Sequence, residues 1–250
     1  KLLIRRQKVS KFCSIYQLNR TTTQKINKDG LFGLMIFLGD IAHPFDESPS
    51  WAQNQWPWAM SQPIIANLEG ALVNEPWRHL KKRKLFNNSS IVNALISNNV
   101  MVVNLANNHI MDVPGALEDT CAELKKHGIQ SVGACQNLHD AAMPARLTDE
   151  GKSYLFLGFG WETIQCRPAA ARSAGVNPLR PFHLLRSVEE LRRIYPNSVL
   201  IIMPHWNYEM ELYPQPAHRQ LVMAAIDAGA DAVIGHHTHR VGGVELYKER

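Results

Sequence analysis

Cysteine is scarce in this chain and poorly spaced for chemistry. Its four cysteines, Cys13, Cys121, Cys135 and Cys166, form no Cys-x-x-Cys pair and no dense framework. That spacing argues against a disulfide scaffold and leaves buried free thiols, with a reducing compartment mildly favoured. A long hydrophobic run is also missing: no apolar stretch reaches the roughly 18 residues that a membrane span requires. Residues 31–38 are the most apolar early segment but are too short to span. The charged segment before them is too long for an ordinary signal peptide. As given, the chain reads as cytoplasmic; the alternative is a membrane-associated or cell-surface protein whose anchor lies upstream of Lys1. There is no internal repeat and no low-complexity linker, so one domain is expected.

Positive charge is confined to one end. The net charge is +5, yet residues 1–29 carry eight Lys and Arg against Asp29, and the remaining 221 residues sum to −2. The body is nearly neutral and holds no motif that reads bases, so no nucleic-acid partner is expected. Residues 1–29 lack periodicity and read as a basic, poorly ordered extension. Residues 30–250 read as the folded domain, and 45% hydrophobic with 20% charged residues is ordinary for a globular protein.

What the chain does have is alternation. Near-continuous apolar runs at 31–38, 63–68, 100–105, 154–159, 199–203 and 232–234 read as strands covered on both faces. Between them, Ile91, Leu95 and Ile96 form a short helical stripe. Leu117, Cys121 and Leu124 repeat at helical spacing before Gly128. Ser187-Val188-Glu189-Glu190 matches a capping box and predicts a helix opening there and stopping before Pro196. Leu221, Val222, Ala225 and Ile226 mark another helix, closed by Gly229. Strand alternating with helix is an α/β signature.

Polar residues collect at the strand ends. Asp40 follows the first run, Glu69 the second, Asn107-Asn108-His109 the third, His205 the fifth, and His236-His237-Thr238-His239 the last. In open α/β sheets the crevice beyond the carboxyl ends of the strands is where sites form. Each element alone also fits a plainer role: Gly39-Asp40 a turn, Asn107-Asn108 left-handed turn geometry, the histidine cluster a polar loop. Together they favour a bound metal. Carboxylate, amide and imidazole without thiolate suit Mn, Fe or Zn, as one or two divalent ions. A pair of such ions can generate hydroxide at neutral pH and stabilise a developing oxyanion.

The order of these motifs resembles the capsule-synthesis protein CapA family, a branch of the calcineurin-like metallophosphoesterase superfamily. Its carriers are Gly39-Asp40, Ala66-Asn67-Leu68-Glu69-Gly70, Leu105-Ala106-Asn107-Asn108-His109, Met203-Pro204-His205-Trp206 with Glu209, and the stretch from Gly229 to His239. The resemblance implies a four-layer α/β/β/α metallophosphatase-like sandwich with the site on one edge. It implies metal ligation by Asp40, Glu69 (at the bridging position), Asn108, His205, His237 and His239. His109 would be the general acid. His236 is the alternative in the final His-x-His register. Position 42 is Ala where related phosphoesterases carry His, with His43 one residue late as a substitute ligand, so a weaker first metal site is expected. Asn207 stands where the family usually has Gly. The family normally continues past the histidine pair, so a C-terminally incomplete sandwich is expected.

Family members are linked to synthesis or export of poly-γ-glutamate. The implied partners are that polymer or another polyanion, together with membrane-bound capsule-synthesis machinery. Arg78, Lys81 and Lys82, in a basic loop, would hold a polyanion. Trp206 and Glu209, with Tyr208, would line the cleft. Two functions stay open: a metal-dependent hydrolase of phosphoester or γ-glutamyl bonds, and a non-catalytic polyanion-binding accessory protein.

Overall fold

The structure, a computed structural model, describes residues 15–16, 35–45, 49, 62–74 and 84–250. In chain order the strands are β1 (Ile15–Tyr16), β2 (Ile36–Ile41), β3 (Ile64–Leu68), β4 (Ala71–Val73), β5 (Phe86–Asn88), β6 (Val100–Asn104) and β7 (Gln130–Val132). They continue with β8 (Ala134–Cys135), β9 (Ala145–Asp149), β10 (Lys152–Gly160), β11 (Gly175–Val176), β12 (Val199–His205) and β13 (Ala232–Val233). The α-helices are α1 (Ile91–Ser97), α2 (Ala116–Lys126), α3 (Leu138–Ala141), α4 (Pro181–Ile194) and α5 (Pro216–Asp227).

Two sheets dominate. One runs β1-β2-β3-β6-β7, with β2, β3, β6 and β7 mutually parallel and β1 antiparallel at the edge. The other runs β13-β12-β10-β9, with β9 the antiparallel member. The α/β expectation is met. The β1 pairing, Ile15 with Leu38 and Tyr16 with Phe37, falls inside the stretch read as a basic extension. The rest of 1–29 lies outside the described residues.

Strand periodicity explains the layering. Ile36, Leu38, Ile64 and Val103 face Ile91 and Leu95 of α1 and Leu117 and Leu124 of α2. Their sequence neighbours Phe37, Ile65 and Val102 point the other way, onto Tyr154, Phe156, Ile201 and Met203 of the second sheet. That sheet turns Leu155, Leu157, Phe159, Leu200 and Ile202 toward Leu184 and Val188 of α4 and Leu221 and Ala225 of α5. Burying each of these large side chains is worth about 1.5–3 kcal/mol, which is why strands apolar on both faces are required.

The predicted capping box at Ser187 is not a helix start. Helix α4 begins at Pro181, whose missing N–H is harmless in the first turn, and Ser187 sits mid-helix, its hydroxyl donating to the His183 carbonyl at 2.9 Å. Leu184 and Val188, one turn apart, bury the face that carries the helix through that point. The expected stop before Pro196 is observed, with Tyr195 as C-cap.

The sheets approach closely at one point. A Cβ on Gly158 of β10 would lie 2.1 Å from Asn104 Oδ1, and one on Gly133 would lie 2.8 Å from the same atom. Asn104 Nδ2 in turn reaches across to the Met203 carbonyl at 3.4 Å. Glycine is required here because the space is taken by the Asn104 amide. That amide is the inner end of the network supporting the site.

Candidate metal centre

The parallel strands end side by side, so the residues after them converge. Asp40 pairs in register with Asn67, and the Glu69 amide donates to the Ile41 carbonyl at 2.9 Å. The β12–β13 ladder runs on past Val233: His236 N–H donates to Pro204 O at 2.9 Å, and His205 and His236 form a bridge. The chain then turns through two left-handed residues, His237 at φ +89° and His239 at φ +51°. Such conformations cost about 1–3 kcal/mol for side chains that are not glycine. They return both imidazoles to the same side, toward Asp40. The His237 amide donates to Asp40 Oδ2 at 3.1 Å, and His239 Nδ1 lies 3.1 Å from that oxygen.

Two groups of ligand-type atoms result, each with its atoms within 4.8 Å of one another: Glu69, His205 and His237, and Asp40, Glu69 and His239. Glu69 belongs to both. His205 Nε2 lies 3.6 Å from Glu69 Oε1 and 2.9 Å from Asn108 Oδ1, which brings Asn108 to the same place. The site is nearly closed to solvent, with Asp40, Glu69 and His205 side chains 6%, 5% and 0% exposed.

This donor set fits a metal. Among the described residues, His205 Nδ1 and His237 Nδ1 are buried without a hydrogen-bond partner. Leaving a buried polar atom unpaired costs about 1–3 kcal/mol, a cost that an ion would remove. Charge points the same way. Burial would raise Asp40, but the His239 hydrogen bond and the surrounding imidazoles prevail and hold its carboxyl well below the ordinary range. Burial first, then the Asp40 charge, push Glu69 up to about 8. Hydrogen bonding to Asp40 lifts His239 to about 9, whereas burial drives His205 well down and also lowers His236 and His237. Two acids and a histidine with shifted protonation, beside imidazoles that burial keeps neutral, make a donor set that suits a cation.

Other candidates fall around this centre. His236 is buried, neither ring nitrogen makes a well-formed hydrogen bond among the described residues, and it lies outside both groups. His43 is also outside them; its amide donates to Asn87 Oδ1 at 2.7 Å, and its ring meets Phe45 edge-on at 5.5 Å. His109 Nδ1 meets Asp112 Oδ2 at 2.8 Å. Glu209 is exposed, and its charge bears on Glu69, His237 and His239. Trp206 is buried, stacked 4.7 Å from the His218 ring; the more exposed neighbours are Trp161 and Tyr208, 5.4 Å apart. Arg78, Lys81 and Lys82 lie outside the described residues.

Sequence reasoning missed the amides that hold these candidate side chains. Asn67 Nδ2 donates to Asp40 Oδ1 at 2.7 Å, and Asn104 Nδ2 donates to Asn67 Oδ1 at 3.1 Å. Asn107 Oδ1 accepts from Gly70 N and His109 N at 3.2 Å each, while its Nδ2 donates to Leu68 O at 2.8 Å. Asn87 Nδ2 donates to the Glu69 and Gly70 carbonyls. The signal available was an Asn inside an otherwise apolar strand, at 67 and again at 104. A buried amide there must find partners.

Fold and site together define an α/β protein with a buried carboxylate–imidazole centre at the ends of parallel strands. Residues 17–250 match the family described as "Bacterial capsule synthesis protein PGA_cap", and the chain belongs to that family. It is 32% identical over 170 residues to the PGA biosynthesis protein CapA of Bacillus subtilis (strain 168), covering 67% of this chain and 44% of that protein. It is 28% identical over 151 residues to the capsule biosynthesis protein CapA of Bacillus anthracis, covering 59% and 37%. A probable polyglutamine synthesis accessory protein of Mycobacterium tuberculosis (strain H37Rv) is 26% identical over 217 residues, covering 78% and 56%. The match thus spans less than half the length of the two Bacillus relatives. The family agrees with the resemblance carried by the motifs.

Proposed function

We propose that this chain is a CapA-like protein of poly-γ-glutamate capsule synthesis whose site holds one or two divalent ions, Mn, Fe or Zn, and hydrolyses phosphoester or γ-glutamyl bonds. The observation that carries the reading is Glu69, shared by two three-residue ligand groups whose buried imidazoles have nitrogens to spare. The succession of helices, sheet, sheet and helices around three apolar layers supports the four-layer sandwich. Residues 30–250 would form that one domain.

Bound there, divalent ions would supply Lewis acidity and a nucleophile from water at neutral pH. The chain's own residues do the rest. Asp40 stays anionic, held by Asn67 and by the His237 amide. Asn108 fixes the His205 ring through its Nε2. His109, only partly buried and next in sequence to Asn108, would protonate a departing oxygen or nitrogen. Glu209 at the rim would meet a substrate amine, while Arg78, Lys81 and Lys82 would hold a polyanion. Membrane-bound polymer-synthesis machinery would be the partner.

A specific observation favours a second reading, that of a non-catalytic polyanion-binding accessory protein. Position 42 is Ala and His43 lies outside both ligand groups, so no first-strand histidine joins Asp40. The test is turnover of phosphoesters and of γ-glutamyl peptides with added Mn²⁺ or Zn²⁺, beside salt-dependent binding of poly-γ-glutamate. Turnover lost in His237→Ala supports the hydrolase. Polymer binding without turnover, abolished only by neutralising Arg78, Lys81 and Lys82, favours the accessory protein.

A further inference from the structure

Two cysteines that the sequence sets far apart meet in the fold. Helix α2 packs on strand β8 so that Cys121 Sγ lies 4.0 Å from the Ala134 carbonyl, and the side chains that its thiol interacts with include Ser131 and Cys135. Both cysteines are free and half-buried, whereas Cys166 is buried and Cys13 lies outside the described residues. Neither partner is loosely held. Leu117 and Leu124, one turn to either side of Cys121, are buried in the apolar cluster that also takes in Ala134. Cys135 is paired in register with Gly175 of β11. Two residues before it, Gly133 is pressed against Asn104, from which the amide chain runs through Asn67 to Asp40. The pair thus backs the candidate metal centre without belonging to either ligand group.

We infer that Cys121 and Cys135 form a thiol–disulfide site, closed to an intramolecular disulfide by a low-molecular-weight disulfide and reopened by a thiol. It is independent of what the metal centre does. The exchange balances in two steps. Cys135, as thiolate, attacks one sulfur of the reagent and expels the other as a thiol; Cys121 then displaces the remaining reagent sulfur as a second thiol. Each cysteine gives up one proton, and the protein S–S bond replaces the reagent's. The order follows from the surroundings. Burial first, then Cys135, push the Cys121 thiol up to about 11, so little of it is thiolate at neutral pH. Cys121 therefore reacts second, where being held beside the mixed disulfide offsets its low thiolate fraction. The closed bond ties α2 to β8 around a loop of roughly 15 residues and stabilises the chain mainly by restricting its unfolded state.

The test incubates the folded full chain with oxidised glutathione, blocks free thiols, and digests it without reduction. Trypsin cuts after Lys125, Lys126 and Arg146, which places Cys121 and Cys135 on separate peptides. The expected result is one linked pair of those peptides and an intact mass lower by about 2 Da. The thermal midpoint should rise by about 5–10 °C, and dithiothreitol should reverse all three changes. Cys121→Ser and Cys135→Ser, each matching the reduced parent in circular dichroism, should lose the linked peptides and the gain in midpoint together. Stable glutathione adducts on either cysteine in place of the link overturn the inference. So does a link that forms only in denaturant, or one that joins either cysteine to Cys13 or Cys166.

Discussion

Uptake of a divalent ion should expel about two protons at pH 7, because two of the ligands hold protons that an ion must displace. Glu69, raised by burial and by its neighbour Asp40, titrates at about 8. His239, raised by its bond to Asp40, titrates at about 9. At pH 7 each is protonated roughly nine-tenths of the time or more, so filling the Asp40–Glu69–His239 group releases close to one proton from each. Between pH 6 and 8 the affinity should therefore rise by about 100-fold per pH unit, or about 2.7 kcal/mol, and level off above pH 9. The ion-free protein shows the converse. Glu69 and His239 both have folded values above their ordinary 4.5 and 6.5. Their contributions to stability are fully present below those ordinary values and are lost as pH rises through about 8 and about 9. Stability of the ion-free chain should fall from pH 6 to 9, and added Zn²⁺ should restore it. Calorimetric titration with Zn²⁺ in buffers of different ionisation enthalpy counts the protons. Zero protons released, with affinity flat from pH 6 to 8, would refute the charge arrangement.

Gly158→Ala places a methyl 2.1 Å from Asn104 Oδ1 and 2.9 Å from Gly133 Cα. It should cost about 2–4 kcal/mol in chemical denaturation, since the neighbour is a fixed amide and the contacting backbone cannot yield; a neutral change would show that the sheets separate easily there. Asn207→Gly removes a left-handed strain, φ +63°, but also the oxygen that accepts from Gln215 N and His218 Nδ1 at 3.1 and 2.7 Å. The lost hydrogen bonds outweigh the gain, for a net loss of about 1 kcal/mol, and a stabilised variant would contradict this. Thr120→Val leaves Leu72 N–H without its 2.9 Å acceptor and should cost about 1–3 kcal/mol by thermal unfolding; an unchanged midpoint would show that the N–H finds another partner.

The long strands and the strand-end ligands were readable because burial on both faces demands unbroken apolar runs, and polar residues can follow only where those runs stop. Asp40, Glu69, the Asn107-Asn108-His109 run, His205 and the His236–His239 cluster stand out on that logic alone, whereas Asn108, His237 and His239 are singled out within them by the family resemblance. The register of the final histidines did not, since it depends on two left-handed turns at His237 and His239 that no local pattern announces. The amide network behind Asp40 was hidden because Asn67 and Asn104 sit inside strands, and their partners lie 37 and 99 positions away in sequence. Asp112 was closer at hand, three residues after His109, but its pairing depends on the turn and on Leu85. Helix α4 was misplaced because a capping-box pattern carries no information about whether tertiary burial extends the helix upstream. Short strands such as β4, β5, β8 and β11 are two or three residues long and have no period to detect.

Elemental mass spectrometry after loading with Mn²⁺ or Zn²⁺ tests the shared-ligand centre most directly, using the parent chain beside Glu69→Gln, His237→Ala and His239→Ala. Each histidine variant should weaken one group only, whereas Glu69→Gln should leave the chain folded and without stoichiometric metal. A Glu69→Gln protein that retains as much metal as the parent would contradict the assignment.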